Sequence, residues 1–174
     1  MGALGMHTQR SPEPRLLDWL EGHGVEYELH HHRPTATARE TARAEGVDPR
    51  TFAKTVAVAA GDGRRALLVL DAADRLDLMK ARRALQAADV HLLAEAELID
   101  LAPTCDPGTM PPVGSLFDVP VLADYAVRDD PEITFNAGSH EFAVRVDRAA
   151  WEREAGIRYA DLAEERTGEP AWMA

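Results

Sequence analysis

Cysteine is almost absent from this sequence, with Cys105 alone in 174 residues. A single thiol excludes an internal disulfide and a sulfur-rich zinc cluster, and it fits a reducing compartment, so a cytoplasmic setting is expected. Lysine is nearly as scarce: of 19 basic residues only Lys54 and Lys80 are lysines. No stretch approaches the roughly 18 apolar residues of a membrane span, and Met1 to Arg15 lacks the apolar middle of a signal peptide. No membrane partner is therefore expected. Positive charge is short as well, since 30 acidic residues leave a formal net charge of -11. That balance excludes a protein whose whole surface binds nucleic acid, because phosphate contacts need a positive field. Any RNA contact is local, and no DNA partner is expected.

What is present is enough apolar residue, 45% of the chain, for one compact core and too little length for two independent domains. Residues 1–11 are polar and aperiodic and read as a disordered leader, residues 12–155 as the domain, and 156–174 as a looser C-terminal tail. Leu16, Leu17, Trp19 and Leu20 stand at helical spacing, closed by Gly22 and Gly24. Val25, Tyr27 and Leu29 alternate as a half-buried strand. Thr37 followed by Glu40 has the spacing of a capping box and predicts a helix to Glu45, stopped by Gly46. Lys54 to Ala60, Gly61-Asp-Gly and Arg65 to Leu70 form the clearest hairpin. A third helix around Leu76 to Ala84, a strand at Val90 to Leu93 and a short helix at Glu95 to Leu101 follow. Strands are then expected at Val119–Ala123, Ile133–Asn136 and Phe142–Val146, with Gly138 and Ser139 turning the chain, and a last helix from about Arg148.

Between these elements lies Ala102-Pro-Thr-Cys-Asp-Pro-Gly-Thr-Met-Pro-Pro-Val-Gly114, which holds four prolines and two glycines. No regular element tolerates that composition, and a loop this long inside a compact domain is more often functional than filler. Its prolines stiffen it. Gly108, Gly114 and Gly138 let backbone approach a ligand closely, although tight turns alone would also call for them. Lys54 by itself reads as a solvated lysine at a strand end. His30, His31 and His32 read as a solvated strand end, because only His30 and His32 share a strand face and no carboxylate or cysteine stands at a metal-ligand interval in the sequence. No metal and no cofactor are expected. Ser115 and Ser139 lack a nucleophile elbow, and Cys105 reads as a structural thiol with no assignable partner histidine.

Three segments, in order, change the weight of these residues. Thr35-Ala-Thr-Ala-Arg-Glu-Thr-Ala through Phe52-Ala-Lys-Thr-Val, then Pro107-Gly-Thr-Met-Pro-Pro-Val-Gly-Ser, then Phe135-Asn-Ala-Gly-Ser-His together resemble the YbaK/ProX family of aminoacyl-tRNA deacylases, across about residues 14–150. The resemblance implies an α/β fold in which a mixed, largely antiparallel sheet curls into a barrel with helices outside. It implies hydrolysis of the ester joining a wrong amino acid to the tRNA 3'-terminal adenosine. Lys54 matches the family's functional lysine, and an ammonium in a dry pocket stabilises the charge that builds on the ester oxygen or on the terminal phosphate. Gly108, Gly114, Asn136, Gly138 and Ser139 are the implied substrate contacts, and His140 stands in the same matched segment. The implied partners are the acceptor end of an aminoacyl-tRNA and an aminoacyl-tRNA synthetase. Arg39, Arg43 and Arg50, near Lys54 in sequence, form a candidate tRNA patch, diluted by Glu40 and Glu45. A binding module of the same fold, recognising tRNA ends, an aminoacyl ligand or a synthetase without hydrolysis, is the alternative. The loop and turn depart from the paired glycines of the cysteinyl-tRNA(Pro) deacylases, so substrate choice stays open.

Overall fold

A computed structural model describes residues 11–165, so residues 1–10 of the expected leader at 1–11, and the end of the tail, lie outside the described residues. The first helix, α1 (Pro14–Gly22), starts on a proline whose missing N–H costs nothing there. β1 (Tyr27–His31) follows. In α2 (Ala38–Glu45) the Thr37 hydroxyl accepts from Glu40 N–H at 3.1 Å, and Gly46 ends the helix in the left-handed conformation. The Glu40 carboxylate accepts from Ala36 N–H at 2.9 Å, one residue before the place a capping box would send it.

β2 (Ala53–Ala60) and β3 (Arg65–Asp71) make the expected antiparallel hairpin, with Lys54 opposite Leu70. α3 (Leu78–Leu85), β4 (Val90–Leu92) and α4 (Glu95–Leu101) carry the chain to the proline-rich loop, which contains one turn of 3-10 helix at Gly114–Leu116. β5 (Val121–Asp124), a short α5 (Tyr125–Arg128), β6 (Glu132–Ser139), β7 (Phe142–Asp147), α6 (Arg148–Ala155) and β8 (Arg158–Ala160) complete it. Beyond residue 155, where the domain was expected to end, β8 pairs in parallel with β5.

The barrel expectation is corrected. Among the described residues the strands form two open sheets, one ordered β1-β7-β6 and one ordered β4-β2-β3-β5-β8. The larger sheet ends on two three-residue strands, β4 and β8, too short to curl round and pair. Among the described residues four of the six strand pairings are antiparallel, in keeping with a mixed, largely antiparallel arrangement, and β3, β5 and β8 run parallel because the crossover through α3, β4 and α4 brings β5 back in the direction of β3. Gly138 and Ser139 do not turn the chain either. They belong to β6, as part of an irregularity in its pairing with β7 between Asn136 and Ser139, and the chain reverses at His140 and Glu141.

One core fills the space between the sheets. Ala57, Leu67, Val69 and Ala123 of the larger sheet meet Ile133, Phe135, Val144 and Val146 of the smaller, closed at the sides by Trp19 of α1 and Trp151 of α6. The opposite face of the larger sheet packs Val58, Leu68, Leu70 and Leu122 against Ala81 of α3 and Leu162. Burial on both faces explains why Ala66-Leu-Leu-Val-Leu70 shows no polar alternation. The sheets touch through their backbones at one point, where Phe52 and Thr134 form a parallel bridge and Thr134 N–H donates to Thr51 O at 3.4 Å.

Asp130, in the link from α5 to β6, has a buried carboxyl oxygen without a hydrogen-bond partner. Burial first, and then the neighbouring Asp129 and Asp48 charges against an opposing Arg148, push its pKa up to about 6. A raised carboxyl pKa means that the folded state holds a proton the unfolded state has released, so stability falls as pH rises from about 4 to about 6. Asp130→Asn is expected to raise the thermal midpoint at pH 7.5 and to leave it unchanged at pH 3.5. Equal midpoints for parent and variant at both pH values in a calorimetric scan would refute this.

Candidate active site

Phe52 is fully buried beneath Ala42 of α2 and against Ala72. Two residues further along β2, on the same strand face, Lys54 emerges into a cleft of about 430 Å3 lined by Thr37, Arg39, Ala72, Asp74 and Arg75. Its ammonium donates to the Asp74 carbonyl oxygen. Arg39 donates through Nε to Ala72 O at 3.3 Å and through Nη2 to Ala73 O at 2.9 Å, so it holds the turn that supplies Lys54 with its acceptor. Burial lowers the Lys54 pKa, the Arg39 and Arg75 charges lower it further, and the Asp74 carboxylate opposes them. Three cations line the cleft beside the Asp74 carboxylate, with Glu164 4.0 Å from Arg75, which leaves a local excess of positive charge in an acidic protein.

The parallel bridge between Phe52 and Thr134 sets a register across the sheet junction. Asn136 stands two residues past Thr134 on β6, as Lys54 stands two past Phe52 on β2, so each lies on the strand face of its own bridge residue. Asn136 is buried, and its Oδ1 has no hydrogen-bond partner. Beyond it, β6 is stitched to the proline-rich loop. Asp106 N–H donates to Gly138 O at 3.0 Å, Gly138 N–H to Thr109 O at 2.9 Å, and His140 N–H to an Asp106 carboxylate oxygen at 3.0 Å. The far side of the loop is held by Trp151, whose indole N–H donates to Pro112 O at 2.8 Å.

The three glycines have different tasks. Gly138, at φ +81°, presses against the start of the domain, where a Cβ would lie 2.7 Å from the Glu13 Cβ. A Cβ on Gly114 would lie 2.1 Å from Val119 O. Both serve close packing. Gly108, at φ +84°, is exposed with open space above it, and its N–H has no hydrogen-bond partner among the described residues. Of the three, it is the one that offers a backbone donor outward. Ser139 is fully buried, and its hydroxyl accepts from Glu141 N–H at 3.1 Å.

Comparison with known proteins decides the family. A model of the aminoacyl-tRNA editing domain matches residues 32–154. The chain belongs to that family. The editing domain here is also 32% identical over 134 residues to proline–tRNA ligases from two strains of Acidithiobacillus ferrooxidans, a match that covers 76% of this chain and only 23% of each ligase. A solved structure described as a candidate trans-editing enzyme for prolyl tRNA synthetase superposes with a TM-score of 0.75 at 26% identity, over 88% of this chain and 99% of that one. The crystal structure of hypothetical protein APE2540 shares the fold, with a TM-score of 0.79 at 20% identity over 86% of this chain and 99% of that one.

Around the cleft of this editing domain, the other residues singled out by sequence separate. Arg43 lies at the far end of α2 in a second groove of about 550 Å3, with His30, His31, His32 and Arg33. Arg50 is exposed in the turn after α2. The histidines have a carboxylate neighbour that spacing did not reveal: Glu45 Oε2 lies 2.5 Å from His30 Nδ1, and Glu45 Oε1 lies 4.0 Å from His32 Nε2. His31 stacks on Phe142. Among the described residues no group of three or more His, Cys, Asp or Glu is arranged to hold a metal ion. Asp74, Arg75 and Glu13 carry no signal in the sequence, because each reaches the site from a segment apart from the matched ones, whereas Asp106 lies within the proline-rich loop itself. Only the position of Asp74 and Arg75 directly after β3, the partner of the strand carrying Lys54, could have drawn attention to them.

Cys105 is buried beside Glu13, and its pKa is pushed up to about 12, first by burial and then by the Glu13 carboxylate. At pH 8 roughly one such thiol in ten thousand is ionised, and the thiolate is the reactive form. Iodoacetamide is therefore expected to leave the native protein unmodified at pH 8 and to label it fully in urea. Rapid native labelling by intact-mass measurement would contradict this placement of Cys105.

Proposed function

We propose that the protein is a trans-acting hydrolase that removes a wrongly attached amino acid from tRNA. The observation that carries this reading is Lys54, held in a positively charged cleft beside Arg39 and Arg75. Water adds to the ester carbonyl, and a C–O bond forms as negative charge gathers on the carbonyl oxygen. The Lys54 ammonium and the Gly108 N–H are the donors available to that charge, and such donors act most strongly where water is scarce. The added water gives up a proton, collapse of the tetrahedral species breaks the ester bond, the ribose oxygen leaves with a proton in exchange, and free amino acid and uncharged tRNA are released. Lys54 acts here as an electrostatic and positioning group, with no proton to abstract. Similarity to proline–tRNA ligases and to a candidate trans-editing enzyme for prolyl tRNA synthetase supports mischarged tRNA(Pro) as the first substrate to try and a synthetase as a partner. The cytoplasm, where charged tRNA is used, is the proposed location.

Deacylation measured over a panel of mischarged tRNAs tests this, and Lys54→Ala is expected to lower turnover by about a hundredfold or more, the usual cost of losing one oxyanion donor. The near-ultraviolet circular dichroism of the variant should match the parent. A folded variant with normal turnover would remove Lys54 from the chemistry. A parent that binds charged tRNA and hydrolyses none of the panel would favour a recognition module on the same fold.

We further propose that Arg43 and Arg50 meet tRNA phosphates beside the cleft, with Arg39 divided between the cleft and the Ala72 and Ala73 carbonyls. Each neutralised phosphate contributes about 0.7 to 0.9 to the slope of log affinity against log salt, so a few contacts give a slope near 2. Arg43→Ala and Arg50→Ala should each flatten that slope by nearly one unit and leave hydrolysis of an aminoacyl-adenosine ester intact. Unchanged slopes in both variants would place the RNA on another face.

A further inference from the structure

The loop that bears Gly108 is gripped by an ion pair between a buried carboxylate and a half-exposed guanidinium, which the proposed chemistry does not touch. Glu13 precedes α1, and its side chain is 1% exposed. One carboxylate oxygen accepts from Arg15 Nε at 2.7 Å, and the other lies 3.9 Å from the Cys105 thiol, which donates to it. The Glu13 backbone N–H donates to Ala137 O at 2.8 Å, which ties the same residue to the irregular stretch of β6. Arg15 reaches outward with its two terminal nitrogens. Nη1 donates to Leu116 O at 2.9 Å, Nη2 to Thr104 Oγ1 at 3.2 Å, and the guanidinium lies over the Phe117 ring at 5.5 Å.

Thr104 comes before Gly108 and Leu116 after it, so one planar fork holds both ends of the loop while its counter-ion holds the strand on which the loop rests. Burying a carboxylate is unfavourable unless it is paired, and apolar packing often does as well for stability. What an apolar replacement cannot do is join three separate backbone segments at defined angles. We propose that Glu13 and Arg15 form a positioning pair that sets the distance between the Gly108 amide and the Lys54 ammonium. This rests on the deacylase reading. The pair touches neither ester nor water, so its effect belongs to the transition state, through the placement of a donor, and turnover should suffer while substrate affinity does not. Lysine in place of Arg15 keeps the charge beside Glu13 but cannot span Thr104 and Leu116 with one rigid group.

The test compares the full-length parent with Arg15→Lys and Arg15→Ala, and uses a mischarged tRNA that the parent deacylates. For each protein kcat and KM are measured separately, hydrogen exchange is followed in peptides covering residues 104–117, and thermal unfolding is recorded. Arg15→Lys is expected to unfold cooperatively, to exchange tenfold or more faster across 104–117 than the parent, and to lose at least tenfold in kcat with KM within twofold. Arg15→Ala should show the same pattern, more strongly. Unchanged exchange, faster exchange with unchanged kcat, or a rise in KM alone would each overturn the proposal. So would loss of cooperative unfolding in Arg15→Lys, which would make the pair a stability element. A parent inactive on every mischarged tRNA would overturn the deacylase reading itself and the role of the pair with it, whereas an active parent with unaffected variants would overturn the pair alone.

Discussion

The bridge between Phe52 and Thr134 is the constraint on which the rest of the molecule depends. Two open sheets lie on either side of one apolar core, and at this point their backbones meet. Phe52 cannot move, because it is fully buried under α2 and against Ala72. The start of β2 is thereby placed beside β6, with Lys54 two residues past the bridge on one strand and Asn136 two past it on the other. A shift of one residue in this register would turn Lys54 into the apolar core and Ala53 out of it.

The cleft also shows how an acidic protein makes room for an anion. The chain carries a net charge of -11, yet Lys54, Arg39 and Arg75 gather where the turn after β3 meets the start of α2. Elsewhere many cations are spent on carboxylates, as with Arg65 on Asp100, Lys80 on Asp161 and Arg148 on Glu152. Placement of charge, rather than its total, gives the surface a positive spot.

The parts that could be read from sequence are those whose causes are local. The Thr37 cap, the Gly46 stop, the β2–β3 hairpin and the irregular proline-rich loop each depend on a few neighbouring residues, and each was legible. The scarcity of lysine and the family resemblance together brought Lys54 forward, which its position alone would have left as a solvated lysine. Long-range pairing was hidden. Nothing near Arg158 announces that β8 will find β5, and the split of the strands into two open sheets defeated the expectation of a barrel. Gly138 and Ser139 looked like a turn because glycine next to serine often is one. The glycine is there because Glu13 leaves no room for a Cβ, and that neighbour stands at the other end of the domain. The same separation concealed Asp74, Arg75 and Arg15 from any reading of adjacent residues.

The pairing of β1 with β7, in which Tyr27 lies opposite Val146, has a consequence for how the molecule is made. During synthesis the β2–β3 hairpin can form as soon as it clears the ribosome, since its contacts are close in sequence. The smaller sheet must wait until residues 132–147 have been translated, because β1 has no partner before then. Throughout that interval the core-facing side of the first hairpin lacks its cover, and an incomplete chain displays Ala57, Leu67 and Val69 to its surroundings. A truncated product of interrupted translation therefore carries Lys54 without β6 beside it, and the bridge between the two sheets arrives only with the last third of the polypeptide.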